Sequence, residues 1–293
     1  IATARIDALD SFNLLDAQNV VAQLVEECRG SRRESVVGHS FALTLLDGLS
    51  SREELVLSAF NAAFGRIPHF GGSAGDDKHL TRTHVYHQNR FHSGAAVVVL
   101  IQTALDFEVF TTHHIQPCEE KLVVTAANPA TRTVYELNAE PAASEYARLL
   151  GLDIAQINFH TFALHPLAVR IGDQYYVRSI QRVNPDLSLT FYCAVENGIV
   201  LTAMQPGPLV PNLQALFDGL EQRLGPLLLT IGCDCFLRRM EVEARGLVAE
   251  TARLLVDQRV IGFNTYGEQF NGMHINQTFT GVAIGRSLRA SSR

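Results

Sequence analysis

A pattern of strand, helix and glycine-rich turn is present twice in the chain, and it constrains the fold more than any other feature. In each copy, an apolar strand-like run leads to a helix-like run and then to a turn with glycine, a small hydroxyl residue, glycine and a carboxylate. A duplicated unit predicts two pseudo-equivalent lobes, and a cleft between lobes is a common place for a ligand. Strand, helix and turn span 41–46, 52–64 and 70–76 in the first copy, and 227–231, 236–255 and 261–268 in the second.

Composition is that of an ordinary globular protein. The chain has 293 residues, of which 47% are hydrophobic and 18% charged, and this length allows one large domain or two smaller ones. Strand-like and helix-like segments follow one another without a low-complexity linker, which predicts an α/β (α+β) fold of mixed β-sheets with packed helices. We predict an N-terminal lobe over 1–137 and a C-terminal lobe over 138–293.

Charge and hydropathy exclude several classes of partner. The net charge is -6 and no basic stripe is present, which argues against nucleic acid and anionic membrane surfaces. The longest apolar run, 95–101, is too short to cross a bilayer. Five scattered cysteines and no secretory signal favour a reduced, cytoplasmic setting.

Helix signals accompany both copies of the pattern. The run from Ser51 to Glu54 predicts a capping box before the first helix. Apolar residues at helical spacing predict one continuous helix over 236–255. We also expect a charged turn at 29–34 and a frayed tail at 286–293.

The glycine turns are the first candidates for ligand binding. Gly71, Gly72 and Ser73 in one turn, and Thr265 and Tyr266 in the other, would expose backbone amides to a ligand, because glycine lets the backbone approach closely. The alternative is that both turns serve the fold alone.

Charged residues beside the turns offer further candidates. Asp234 at a helix start, with Arg238 one turn later, could hold a ligand carboxylate or form an ordinary cap and ion pair. Asp76, Asp77 and Glu268 could form a carboxylate set with one general base if the lobes face each other. No nucleophile–base pair accompanies them, and an enzyme is the less favoured interpretation.

Histidines and cysteines suggest metal or redox chemistry only weakly. A single histidine that faces an apolar lobe could ligate haem iron, and His114 and His274 are the candidates among eleven histidines. A histidine taken alone is more often a hydrogen-bonded core or surface residue. Cys233 and Cys235 lie near a helix start, where thiolate is favoured, but no second pair completes a zinc site. We interpret both as small buried residues.

Several spaced motifs follow one another over nearly the whole chain. They are Phe70-Gly71-Gly72-Ser73-Ala74-Gly75-Asp76, Lys121–Ala126, Arg132–Asn138, Pro141–Tyr146, Cys233–Glu241 and Gly262–Glu268. Together they resemble FIST sensory domains. FIST chains normally carry further sequence before the segment that begins this chain, so it resembles a shortened member that lacks part of the family's ligand site.

The resemblance implies a small-molecule-binding domain of intracellular signal transduction. The run Thr265–Gln269, followed by 274–279, resembles a bacterial branch that includes haem-containing nitric oxide sensors, and this implies haem as cofactor and nitric oxide as signal. It also implies a histidine kinase or a cyclic-dinucleotide enzyme as partner. An amino-acid sensor without haem is the alternative, with Asp234, Arg238 and the glycine turns as its site. Homo-oligomer formation stays open.

Overall fold

Strands from both ends of the chain form one nine-stranded sheet, and strands from its middle form an eight-stranded sheet. We call them the large sheet and the small sheet. The computed structural model of the chain describes residues 1–29 and 38–286. The predicted charged turn and frayed tail therefore lie outside the described residues, apart from Arg29 and Arg286.

The first hundred residues build one half of the large sheet. Helices α1 and α2 pack on one face of it, because their apolar residues recur every three or four positions and form a single stripe. Two short strands form a separate hairpin. The elements are β1 Ala2–Ile6, α1 Leu14–Arg29, β2 Ser40–Asp47, α2 Glu53–Phe64, β3 His69–Ala74, β4 Val85–His87, β5 Arg90–His92 and β6 Ala96–Gln102.

The middle of the chain leaves the large sheet after one edge strand and builds the small sheet. Helices α3 and α4 cover that sheet, and its apolar core also takes in residues of the large-sheet region, including Tyr266. The elements are β7 Asp106–Thr112, β8 Ile115–Asn128, β9 Thr133–Leu137, β10 Glu140–Pro141, α3 Ala142–Leu150, α4 Phe159–Leu164, β11 Leu167–Ile171, β12 Gln174–Arg178, β13 Ile180–Val183, β14 Leu189–Phe191 and β15 Val200–Pro206.

The last part of the chain returns to the large sheet and completes its second half. Helices α5 and α7 pack on this half, while α6 also contributes to the core of the small sheet. The elements are α5 Leu209–Leu224, β16 Leu227–Cys235, α6 Phe236–Ala244, α7 Val248–Asp257, β17 Val260–Phe270, β18 Met273–Ile275 and β19 Phe279–Gly285.

The two halves of the large sheet mirror each other. From the edges inward, the strand order is β1-β6-β2-β3 on one side and β7-β19-β16-β17 on the other. In each half the two strands that flank the helical segment run parallel, and β3 pairs with β17 antiparallel at the centre. The duplicated pattern is thus a real structural repeat. Its two copies meet where β3 pairs with β17, and we call this pairing the seam. The predicted α/β class with mixed sheets and two lobes is confirmed.

Three local predictions were wrong. The glycine-rich segments are not turns but the central strands β3 and β17, paired on both sides. The predicted continuous helix is broken into α6 and α7, since Gly246 adopts a φ of 69°. The capping box does not form: α2 begins after Arg52 with no side-chain cap, and Glu54 binds elsewhere.

The predicted division at 137/138 falls inside the small sheet, between β9 and β10. The large sheet takes strands from both sides of that point. The division into two domains therefore stays a prediction.

Candidate ligand-binding site between the two sheets

A cleft lies between the large sheet and the edge strand β12 of the small sheet. Counting the space that is open to solvent, its larger part has a volume of about 850 Å³ and its smaller part about 810 Å³. The two parts share Tyr176, Met273 and Ile275, so they adjoin along β18. Volumes of this size suit a small metabolite.

The two parts differ in chemistry. The polar groups of the larger part are mainly hydroxyls and amides, while the smaller part carries charge. The larger part is lined by Thr111, Thr112, His113, Gln174, Tyr175, Tyr176, Val177, Phe270, Met273, Ile275, Asn276 and Thr278, and the smaller by Glu54, Ile171, Tyr176, Arg178, Ala194, Gly272, Met273, His274 and Ile275.

Glu54 is fixed in the smaller part by groups from both sheets. Its Oε1 accepts a hydrogen bond from Ala194 N at 2.9 Å and lies 3.3 Å from His274 Nδ1, while Oε2 pairs with Arg132 at 2.5 Å. Burial alone would raise the pKa of Glu54, but His274, Arg132 and the Ala194 amide outweigh it and hold the pKa well below its usual range. Glu54 is therefore an anion whose side chain is still 37% exposed.

Arg132 links the two sheets beneath this carboxylate. It precedes β9 of the small sheet, yet its guanidinium contacts Glu53 Oε2 at 2.6 Å and Glu54, both in α2 of the large-sheet region. It also donates to Tyr192 O at 2.8 Å. A change in the surroundings of Glu54 therefore reaches a buried contact between the sheets.

Arg178 supplies the opposite charge in the smaller part. It ends β12 and is partly exposed, and among residues 1–29 and 38–286 no carboxylate lies within ion-pair distance of it. Its guanidinium contacts the buried Cys193 thiol. The smaller part thus holds one carboxylate and one guanidinium with free bonding capacity.

Hydroxyl groups join the larger part to a buried carboxyl. Thr278 Oγ1 donates to Glu268 Oε2 at 2.8 Å, and Thr278 N donates to the same oxygen at 3.0 Å. Thr265 bonds the other oxygen, Oε1. Burial raises the pKa of Glu268 to about 8, although the threonine hydrogen bonds oppose the rise. Glu268 lies behind the wall of the cleft and is connected to it through Thr278.

The predicted glycine residues form the seam of the large sheet. Gly72 pairs with Glu268, and Ser73 pairs with Gly267. A methyl group on Gly72 would collide with Thr265, and one on Gly71 with the backbone of Thr44. The glycines therefore serve close strand packing, and Gly71, Gly72 and Ser73 are buried rather than open to the cleft.

Asp76 anchors the loop after β3. It accepts hydrogen bonds from the amides of Leu80, Thr81 and Arg82 and from the hydroxyl of Tyr266. Burial would raise its pKa, but these donors hold the pKa well below the usual range. Asp76 and Tyr266 thus hold a loop, and neither lines the described cleft.

Asp234 and Arg238 lie in a buried charge network. Arg238 Nε bonds Asp234 Oδ1 at 2.6 Å, and its NH1 lies 2.9 Å from His114 Nδ1. His114 Nε2 lies 2.8 Å from Glu241, which also pairs with Arg245. Arg238 is 1% exposed. The predicted ligand carboxylate site is therefore a closed internal ion pair.

Neither predicted haem ligand offers a nitrogen to iron. Arginine can only donate, so His114 Nδ1 accepts from Arg238 and its Nε2–H donates to Glu241. Burial lowers the pKa of His114, which agrees with a neutral ring. Within 1–29 and 38–286, His274 Nε2 is buried and has no hydrogen-bond partner, and it faces the backbone of Gly267, where even a methyl group would collide with it. The two positions do not fit haem in this arrangement.

The predicted carboxylate set is also dispersed among separate partners. Asp76 holds its loop, Asp77 pairs with Arg239, and Glu268 bonds threonines. Cys233 and Cys235 are buried, and burial raises the pKa of both thiols, so the interpretation as small buried residues fits.

Sequence reasoning found His274 but missed most of the cleft. Thr278 and Asn276 belong to the run that carries the bacterial resemblance, and this run could have indicated them. His113, rather than the neighbouring His114, lines the cleft: both lie in the two-residue link between β7 and β8, and the ring of His114 is turned inward to Glu241. No signal in the sequence predicts that Glu54 and Arg178 line the same part of the cleft, because they are far apart in the chain.

A mainly apolar cleft with a few polar and charged groups, set between two sheets, is a typical place for a small-molecule ligand. The FIST N domain model matches residues 1–140, and the FIST C domain model matches residues 142–271. The chain therefore belongs to the FIST family, whose domains are sensory, ligand-binding modules that typically pair with signalling domains. No curated protein and no solved structure matches the chain.

None of the helices in the described ranges has the length and the apolar composition that crossing a membrane requires.

Proposed function

We propose that this FIST protein senses a small zwitterionic metabolite, such as an amino acid, bound in the cleft between the sheets. The observation that carries the proposal is the Arg178 guanidinium, which faces the smaller part of the cleft with no ion-pair partner in the described chain. Glu54 lines the same part as a fixed anion. A ligand carboxylate would meet Arg178, and a ligand ammonium would meet Glu54.

The contact of Glu54 with Arg132 suggests how ligand binding would produce a signal. The second oxygen of Glu54 pairs with Arg132, which joins the sheets. An ammonium at Glu54 would compete for that carboxylate and weaken the inter-sheet contact, so the ligand would bind the two arrangements of the sheets unequally, as a signal requires. The predicted partner, a histidine kinase or a cyclic-dinucleotide enzyme, would respond to this change.

A thermal-shift screen of the common L-amino acids tests the proposal. We expect at least one to raise the melting temperature of the wild-type protein. Arg178→Ala should weaken its binding roughly 10- to 100-fold, the cost of a charge-assisted hydrogen bond. Arg182→Ala is the matched control, because Arg182 is an exposed arginine that bonds Asn184 outside the cleft. Equal loss in both variants, or no shift with any amino acid, would contradict the proposal.

Haem with nitric oxide as the signal is the second candidate. One feature of the cleft favours it: His113 lines the larger part. Titration with haemin, followed by absorption, tests it directly. A Soret band that is lost in His113→Ala and kept in His274→Ala would establish haem binding at the cleft, whereas wild-type protein without such a band at equimolar haemin would exclude it.

A further inference from the structure

A chain of three threonine hydroxyls connects the cleft with Glu268. Thr111 and Thr278 line the larger part of the cleft, and Thr280 is buried between them. Thr111 Oγ1 lies 2.8 Å from Thr280 Oγ1, which lies 3.1 Å from Thr278 Oγ1. Thr278 Oγ1 lies 2.8 Å from Glu268 Oε2. The chain therefore runs without a gap from the cleft to the carboxyl.

The direction of every hydrogen bond in this chain can be worked out, because a hydroxyl carries only one hydrogen. Thr278 donates its hydrogen to Glu268, so it accepts from Thr280. Thr280 has then used its hydrogen and must accept from Thr111. The hydrogen of Thr111 consequently points into the protein, away from the cleft.

The protonation state of Glu268 does not reverse this direction. Oε2 already accepts two hydrogens, from Thr278 N and from Thr278 Oγ1. The hydroxyl oxygen of a carboxylic acid is a poor acceptor, so the bond from Thr278 N marks Oε2 as the carbonyl oxygen of a neutral Glu268. The proton then lies on Oε1 and is donated to Thr265, whose own hydroxyl reaches Asp234 O at 3.4 Å. Oε2 remains an acceptor in both charge states.

A third threonine of the cleft, Thr112, also points its hydroxyl hydrogen away from the cleft. Thr112 Oγ1 donates to Asn212 Oδ1 at 3.1 Å, and the amide orientation of Asn212 is fixed because its Nδ2 donates to His113 O at 3.2 Å. Thr112 also lines the larger part of the cleft. All three threonines of this wall thus turn lone pairs, and no hydrogen, toward a ligand.

We infer that the wall formed by Thr111, Thr112 and Thr278 accepts hydrogen bonds only, with Glu268 and Thr280 as positioning residues, and that the ligand presents a donor to it. The donor is a hydroxyl, an amide N–H or an ammonium group. The inference rests on the proposed function and adds to it: the part of the ligand remote from the carboxylate at Arg178 carries a hydrogen-bond donor.

Propan-2-ol and acetone form a suitable pair of probes, since they share a skeleton and only the alcohol can donate. We would titrate each into wild-type protein with methyl-labelled threonine and follow the methyl resonances of the three wall threonines by NMR. One hydrogen bond predicts that propan-2-ol binds the wall roughly 3- to 10-fold more tightly than acetone. Equal binding would overturn the inference, and no shift with either probe would overturn the proposed binding site together with it.

Thr280→Val tests the positioning role from outside the cleft. Without the Thr280 hydroxyl, the hydrogen of Thr111 has no inner acceptor and can turn to the cleft, so the preference for propan-2-ol should shrink toward equality. Thr280→Ser keeps a hydroxyl and should restore it. Thr111→Val, made at the wall itself, should also reduce the preference. Full preference in both valine variants would overturn the inference.

Discussion

Glu268→Gln is expected to stabilise the protein, and to do so more strongly as the pH rises. Glutamine has the shape of glutamate, and its oxygen can accept from Thr278 while its amide donates to Thr265, so the hydrogen bonds of the site are kept. What the substitution removes is an ionisable group that the folded protein keeps neutral.

The sign follows from proton binding. Burial raises the pKa of Glu268 from 4.5 to about 8, so at intermediate pH the folded state holds a proton that the unfolded chain has released. The stability that this proton confers is fully present below about pH 4.5 and is lost as the pH rises to about 8. Each pH unit of that window corresponds to about 1.4 kcal/mol, and the whole window to about 5 kcal/mol.

Equilibrium urea unfolding at intervals from about pH 5 to about pH 9 measures the effect. The free energy of unfolding of Glu268→Gln minus that of wild type should rise by about 1.4 kcal/mol per pH unit up to about pH 8 and then level off. Glu250→Gln, in an exposed position of α7, controls for the loss of one negative charge. A difference that stays constant with pH would refute a neutral buried Glu268.

Two further predictions concern the contacts that join the parts of the molecule. Arg132→Ala leaves Glu53 buried without its partner and should cost about 3–5 kcal/mol in urea unfolding. The exposed Arg148→Ala should cost much less, and equal costs would contradict a buried ion pair. Gly267→Ala forces a methyl group against His274 and should lower the free energy of unfolding by about 1–3 kcal/mol. Most of this loss should be recovered when His274→Ala is added. A double-mutant cycle with no coupling between the two positions would show that the collision is relieved elsewhere.

The duplicated pattern was sufficient to predict the repeat and the α/β class, because the order of strand and helix is written locally in hydrophobic periodicity. The geometry of the glycine segments was not predictable in the same way. Glycine in a turn and glycine in a tightly packed central strand look alike in sequence. Only the contact of Gly72 with Thr265 across the seam, a tertiary feature, explains why side chains are absent there.

The candidate site was predicted in part, for a similar reason. Glu268 was identified from its motif, but its link to the cleft depends on Thr278 and Thr280, which a strand pairing brings beside Thr111. From its sequence neighbours, Glu54 is predicted to be the glutamate of a capping box that begins at Ser51. Its actual partner, Arg132, lies 78 positions later, and no local pattern indicates such a pairing.

Two hydrophobic interiors lie on opposite sides of the seam, and a smaller one around Phe41, Phe70, Cys233 and Val282 crosses it. One interior is built wholly from residues up to Leu100, and another from Phe110 onward. A polypeptide severed at 103–105, between β6 and β7, would separate these interiors without splitting either. The two pieces are therefore suited to fragment complementation. If each piece were fused to one of two proteins that bind each other, the pieces would rejoin through the pairing of β3 with β17. The ligand-binding protein would then be restored only where the two fused proteins meet.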